Sequence, residues 1–145
     1  MRASFRFNAS IMRALRILLS LLAFASMRAF GEAPNPPNVT NVTADEAEKL
    51  LKEKPGVLVL DVRTADEFKA GHIPGAKNVD FFDDNFAKQV AALDPATPII
   101  VHCAAGGRSA QSLPMLKDKK VVYHLKDGFK AWEKAGKPVE GAEKK

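Results

Sequence analysis

Apolar positions fall into short runs separated by turn residues, and two spacings alternate along the chain. Val57 to Val62 is almost continuously apolar, as expected of a strand buried on both faces of a sheet. Pro98 to Cys103 is the second strong strand, centred on Ile99-Ile100-Val101, and Val121 to Leu125 is another strand. Ala76 to Val79 is a shorter strand candidate. Helical patterns lie between them. Thr43-Ala44-Asp45-Glu46 is a capping box, opening a helix that runs to about Glu53 and stops at Lys54-Pro55-Gly56. Thr64-Ala65-Asp66-Glu67 repeats the signature, so a short helix follows the first strand at once. Gly71 to Gly75 is a turn. Phe86, Val90 and Leu93 share one helical face within Asn85 to Leu93. Arg108 to Lys117 reads as helix, bent by Pro114, which lacks an N–H. Phe129 to Ala135 is the last helix, ended by Gly136 and Pro138. This alternation predicts an α/β fold: a mostly parallel central sheet with helices on both faces.

A chain of 145 residues is long enough for one domain with a real core. Its first 31 residues have another character. Arginines precede an apolar run from Ile17 to Ala25, interrupted only by Ser20, and small residues follow at Ala23-Phe24-Ala25 and Ala29-Phe30-Gly31. That is the layout of a secretory signal peptide, and the run is too short to span a bilayer, which takes about 20 residues. The division expected is a signal peptide over 1–31, a proline-rich linker over 32–42, the folded domain over 43–140 and a charged tail over 141–145. An exported, periplasmic protein is expected, with no membrane span left after processing. A retained membrane anchor and an amphipathic mitochondrial leader are the competing readings.

Charge adds little once the leader is set aside. The net charge is +5, but Arg2, Arg6, Arg13, Arg16 and Arg28 stand in a leader with no acid. Removing those 5 from 22 basic residues leaves 17, against 17 acids. The domain is formally neutral, so no nucleic-acid binding is read from the basic isoelectric point. One cysteine, Cys103, cannot form an internal disulfide. It and three scattered histidines lack the close spacing of a zinc site, so no metal or other cofactor is expected.

The chemistry gathers in Val101-His102-Cys103-Ala104-Ala105-Gly106-Gly107-Arg108-Ser109. A buried strand ends at a cysteine, a small-residue loop follows, and a helix begins. Ligands of such sheets bind beyond the carboxyl ends of the strands, where Cys103 falls. A tight loop of Ala104, Ala105, Gly106 and Gly107 can turn its N–H groups inward as an anion-binding nest. The start of the helix and Arg108 add positive charge. All three favour thiolate over thiol, and the thiolate is the nucleophile. A buried, inert cysteine is the bland alternative.

These residues resemble those of single-domain rhodaneses, the sulfurtransferase family. The similarity is carried by Asp61-Val62-Arg63 with Glu67-Phe68, by Gly71-His72-Ile73-Pro74-Gly75-Ala76 with Asn78, and by His102-Cys103 through Gly106, Arg108 and Ser109. Leu125, Gly128, Trp132, Gly136 and Pro138-Val139 complete it, so it spans 57–139. The resemblance implies a ping-pong reaction. Cys103 takes sulfane sulfur from a donor such as thiosulfate or 3-mercaptopyruvate, and cyanide or a thiol removes it. The N–H groups of residues 104–108 would cradle the persulfide, with Asp61, Arg63 and Ser109 in support. Arg63 with Glu67 would brace the wall of the site. Asp127 replaces the first of two glycines the family carries before the last helix, a position where Asp tolerates left-handed backbone.

A cysteine phosphatase is the nearest rival. Its signature places five residues between cysteine and arginine, because a tetrahedral phosphoryl group needs a wide cradle; here there are four. No acid for protonating a leaving group can be assigned either. Asp61 and Arg63 read first as a structural ion pair, His102 as a packed histidine rather than a general base, and His72 as a local turn residue. His124 alternates with Tyr123 on a strand. The sequons at Asn38 and Asn41 read as chance. A free reactive thiol in an oxidising compartment needs protection, as a stored persulfide or by a redox or sulfur-acceptor protein partner. A monomer is expected.

Overall fold

A computed structural model describes residues 35–141. The signal peptide read in 1–31, residues 32–34 of the linker, and residues 142–145 of the tail lie outside the described residues. Within them the strands are β1 (Val39–Val42), β2 (Leu58–Asp61), β3 (Lys77–Asn78), β4 (Ile99–His102) and β5 (Val122–Leu125). The helices are α1 (Ala44–Glu53), α2 (Ala65–Ala70), α3 (Phe86–Ala91), α4 (Gly107–Ser112) and α5 (Gly128–Lys134), with a 3-10 turn at Leu113–Leu116. Every strand pair is parallel, in the order β1-β5-β4-β2-β3.

The two apolar runs that read as buried strands sit side by side, Leu58 against Ile99 through Asp61 against His102. Alternation sends their side chains to opposite faces. Leu60, Ile99 and Val101 pack with Phe86 and Val90 of α3 and with Leu113 and Leu116. Val59 and Ile100 pack with Ala47 of α1 and with Phe129 and Trp132 of α5. The expected helices on both faces are there. Both capping boxes form: the Glu46 carboxylate accepts from the Thr43 N–H and that of Glu67 from the Thr64 N–H, while each threonine oxygen accepts the N–H three residues on.

Two expectations change. Residues 39–42, read as linker, are the edge strand β1, paired with β5 from Val39–Val122 to Val42–Leu125. Val39-Thr40-Asn41-Val42 has too few apolar residues to announce a strand, and only Val42 is buried. An edge strand needs one partner and little core. The Asn38 side chain is also engaged, donating to the carbonyls of Leu116 and Lys119. The helix read over 108–117 is not one bent helix: α4 ends at Ser112 and a 3-10 turn takes over with Pro114 in its first positions. There the missing N–H has no partner to lose. Among the described residues no helix is long and apolar enough to cross a membrane.

Candidate active site

The loop after β4 is pinned from outside. Phe129 and Lys130, in the first turn of α5, donate their N–H groups to the carbonyls of Cys103 and Ala104 at 2.8 and 3.0 Å. In a trans peptide the carbonyl and the next N–H point opposite ways. With the Ala104 carbonyl turned out to α5, the Ala105 N–H turns in. The N–H of Gly106 donates to Cys103 Sγ at 3.2 Å. Two glycines permit this closeness. Gly106 has φ +92°, and a Cβ on it would lie 1.8 Å from the Lys126 carbonyl oxygen. Gly128 has φ +68°, and its Cβ would lie 2.6 Å from the Cys103 carbonyl oxygen. Both contacts are backbone and cannot swing aside. Gly107 meets nothing and opens α4, so that position does not need glycine. Asp127, expected to tolerate left-handed backbone, has φ −91° and is right-handed; Gly128 carries the positive φ instead.

Cys103 is 2% exposed. Burial pushes its thiol up, but the Ser109 N–H and hydroxyl and the N–H groups of Ala105 and Gly106 outweigh it and hold the thiol below its ordinary value. The nest foreseen in the loop is therefore formed by Ala105, Gly106 and Ser109. Ala104 contributes its carbonyl to α5 and lines the adjoining cleft. Ser109 also touches the sulfur with its hydroxyl, at 3.5 Å.

Arg108 is not a free cation. Its two terminal nitrogens donate to the two oxygens of Glu67 at 2.7 and 2.8 Å. Arg108 holds the Glu67 carboxyl well below its usual value, at about 2, helped by the Thr64 N–H and hydroxyl against the opposing effect of burial. One Glu67 oxygen thus caps α2 and clamps Arg108 together. The expected Arg63–Glu67 brace is corrected accordingly. Both residues wall the same cleft, but Arg63 is bound to Asp61: its Nε lies 3.0 Å from each Asp61 oxygen, and Nη2 donates to Oδ2 at 2.6 Å. Nη2 also donates to the Gly71 carbonyl at 2.7 Å, and the guanidinium lies 4.0 Å over the Phe129 ring. The reading of Asp61 and Arg63 as a structural pair fits this geometry. His102 is buried beside them, its Nδ1 3.3 Å from the Cys103 carbonyl oxygen and its Nε2 3.7 Å from Asp61 Oδ2. Desolvation pushes the proton affinity of its ring down, against the pull of Asp61. His72 bonds locally, Nδ1 to the Phe68 carbonyl at 2.9 Å.

A cleft of about 260 Å³ opens beside the loop, lined by Arg63, Glu67, Gly71, Ala104, Phe129 and Lys130 among others. Phe82 is 68% exposed, with the Arg108 guanidinium 5.8 Å from its ring centre. Two site neighbours were not read from the sequence. Glu67 was seen as a cap and a wall, not as the Arg108 partner 41 residues away. His124 bonds to Ser109, Nε2 to Oγ at 2.9 Å. The only hint in the sequence was that His124 shares strand parity with the buried Val122.

The comparisons with known proteins agree with this geometry. The family model described as rhodanese-like domain matches residues 43–135. Rhodanese-like domain-containing protein 14, chloroplastic, of Arabidopsis thaliana is 31% identical over 150 residues, covering 72% of this chain and 66% of that protein. Thiosulfate sulfurtransferase GlpE of Pseudomonas fluorescens is 36% identical over 89 residues, covering 60% of this chain and 79% of that one. Among solved structures, the rhodanese-like domain of an Anabaena sp. protein superposes with a TM-score of 0.62 at 26% identity, over 72% of this chain and 79% of that chain. A thiosulfate sulfurtransferase from Pseudomonas aeruginosa gives 0.59 at 30% identity, over 74% of this chain and 21% of that larger one. The all-parallel sheet, the pinned cysteine loop and the extent of these matches place the chain in the family of rhodanese-like domains.

Proposed function

We propose that the protein is a sulfurtransferase that carries sulfane sulfur on Cys103. The observation that supports it most is the set of donors converging on one sulfur: the N–H of Gly106 at 3.2 Å and the other loop donors that lower the thiol. In loading, Cys103 Sγ forms a bond to the outer sulfur of the donor. The donor's S–S bond breaks, and its electron pair leaves with sulfite when the donor is thiosulfate. In discharge, a cyanide or thiolate acceptor bonds the outer sulfur, the Cys103 S–S bond breaks, and its electron pair returns to Sγ. The loop amides hold the negative charge at both stages. Electrons balance without an added oxidant.

Donor preference follows from the mouth. Thiosulfate is a dianion, and the nearest cation, Arg108, is neutralised by Glu67. Thiosulfate binding then rests on the amides, so a high KM for it is expected. A protein acceptor is the second reading, favoured by Phe82, an exposed aromatic against Arg108. The leader motif supports an exported, periplasmic enzyme. Four residues between Cys103 and Arg108 argue against a phosphatase.

Thiocyanate formation from thiosulfate and cyanide tests the proposal, with Cys103→Ala beside the native protein. Activity lost in the variant supports it. Absence of activity with thiosulfate and with 3-mercaptopyruvate, together with hydrolysis of an aryl phosphate, would replace it with the phosphatase reading.

A further inference from the structure

Four charged side chains wall the cleft beside the cysteine loop, and two of them are already bound. The Arg63 guanidinium is taken by Asp61 and the Gly71 carbonyl, and both Glu67 oxygens are taken by Arg108. The other two stand on α5. Among the described residues, the Lys130 ammonium and the Glu133 carboxylate make no hydrogen bond or ion pair, with each other or with a neighbour. Both residues are exposed. Three positions along a helix put them on one face. The cysteine loop itself fixes where that face lies. Lys130 donates its N–H to the Ala104 carbonyl at 3.0 Å, and Phe129 to that of Cys103 at 2.8 Å. Ala104 and Phe129 also line the cleft, so the first turn of α5 joins it to the loop that carries the sulfur.

The four charges cancel, Arg63 and Lys130 against Glu67 and Glu133. A neutral cleft with one unpartnered group of each sign suits a dipolar ligand better than a plain anion or a plain cation. Its volume of about 260 Å³ suits a small one. Pockets for drug-sized ligands run to roughly 300–1,000 Å³. A small molecule with a carboxylate and an ammonium on one carbon is an α-amino acid zwitterion. We propose that Lys130 and Glu133 form a subsite for the α-amino acid head of a small thiol, and that this thiol takes the sulfur from Cys103. Lys130 holds the carboxylate and Glu133 the ammonium. In the transfer, the thiol gives its proton to water and its sulfur bonds the outer sulfur of the Cys103 persulfide. The Cys103 S–S bond breaks, its electron pair returns to Sγ, and an amino acid persulfide leaves. The transfer rests on the sulfurtransferase reading. The subsite does not.

Three thiols separate a positioned subsite from a general field. L-Cysteine carries both charged groups, cysteamine lacks the carboxylate, and 3-mercaptopropionate lacks the ammonium. Each serves as acceptor from thiosulfate-loaded full chain, native, Lys130→Gln or Glu133→Gln, and each KM is compared between proteins on one thiol, so the thiols' own reactivities cancel. Lys130→Gln raises the KM for L-cysteine and 3-mercaptopropionate relative to cysteamine by about three- to fivefold, the size of a partly exposed charge pair. Glu133→Gln raises it for L-cysteine and cysteamine relative to 3-mercaptopropionate. A field alone leaves L-cysteine unchanged, because the zwitterion has no net charge. An L-cysteine KM equal in all three proteins would therefore overturn the subsite, while transfer itself would still support the sulfurtransferase reading. Binding is read separately with S-methyl-L-cysteine, whose sulfur is capped, from the amide resonances of Ala104, Phe129 and Lys130. The native protein binds it, and each variant binds it severalfold more weakly. Equal binding in all three, or none in the native protein, would overturn the subsite. Weakened binding in both variants with no sulfur transfer in any protein keeps the subsite and removes the sulfurtransferase reading.

Discussion

Two arginine–carboxylate pairs flank the cysteine loop, and they differ in what surrounds them rather than in what they are. Asp61–Arg63 is sealed: both side chains are buried, and the guanidinium is shared with the Gly71 carbonyl and the Phe129 ring. Glu67–Arg108 sits at the mouth, partly exposed, with Phe82 beside it. Breaking the first leaves a charge with no water to take it. Breaking the second exposes a cation where an anionic donor would arrive. The same chemistry is a structural rivet in one place and an adjustable field in the other.

The largest effect that would test this contrast is on the sealed pair. Asp61→Ala strands Arg63 and is expected to cost about 3–5 kcal/mol, seen as a much lower denaturant midpoint. A loss below about 1 kcal/mol would mean that water reaches this pair as it reaches the other. Arg63→Lys keeps the charge but gives up the fork on Asp61 and the planar stack on Phe129. It should cost about 2 kcal/mol. Glu67→Gln is the counterpart at the mouth. It should change stability by less than about 1 kcal/mol, yet lower the KM for thiosulfate severalfold by releasing the Arg108 charge. An unchanged KM would show that Arg108 does not meet the donor.

The smallest effect is in acid. The Glu67 carboxyl is held at about 2, chiefly by Arg108, so its folded value lies below its unfolded one. Its contribution to stability is therefore fully present above the ordinary carboxylate value and is lost as pH falls through about 2. The melting-temperature difference between native protein and Glu67→Gln should shrink across that window. A difference that stays constant would mean that the Glu67 charge adds nothing to stability, whether through Arg108 or through the Thr64 cap.

Reading of the sequence was reliable where information is local. Runs of apolar residues marked β2 and β4, because a strand buried on both faces has no polar side to show. The capping boxes marked α1 and α2 within a residue, because the cap and its partner lie three positions apart. The cysteine loop was legible for the same reason: sulfur, nest and arginine are near neighbours in the chain. β1 was missed because an edge strand with one buried side chain carries almost no pattern.

What the sequence by itself determined is the α/β class, the place of Cys103 at a strand end and the small residues that let backbone approach its sulfur. The tertiary structure alone decided the partners. Glu67 reaches Arg108 across 41 positions, and Asn41 reaches His124 across 83. Neither pairing follows from any local rule, because strand order sets them: β5 lies between β4 and β1, and α2 lies where β2 delivers it. Whether Arg108 is a free cation is a property of those neighbours and not of the residue itself.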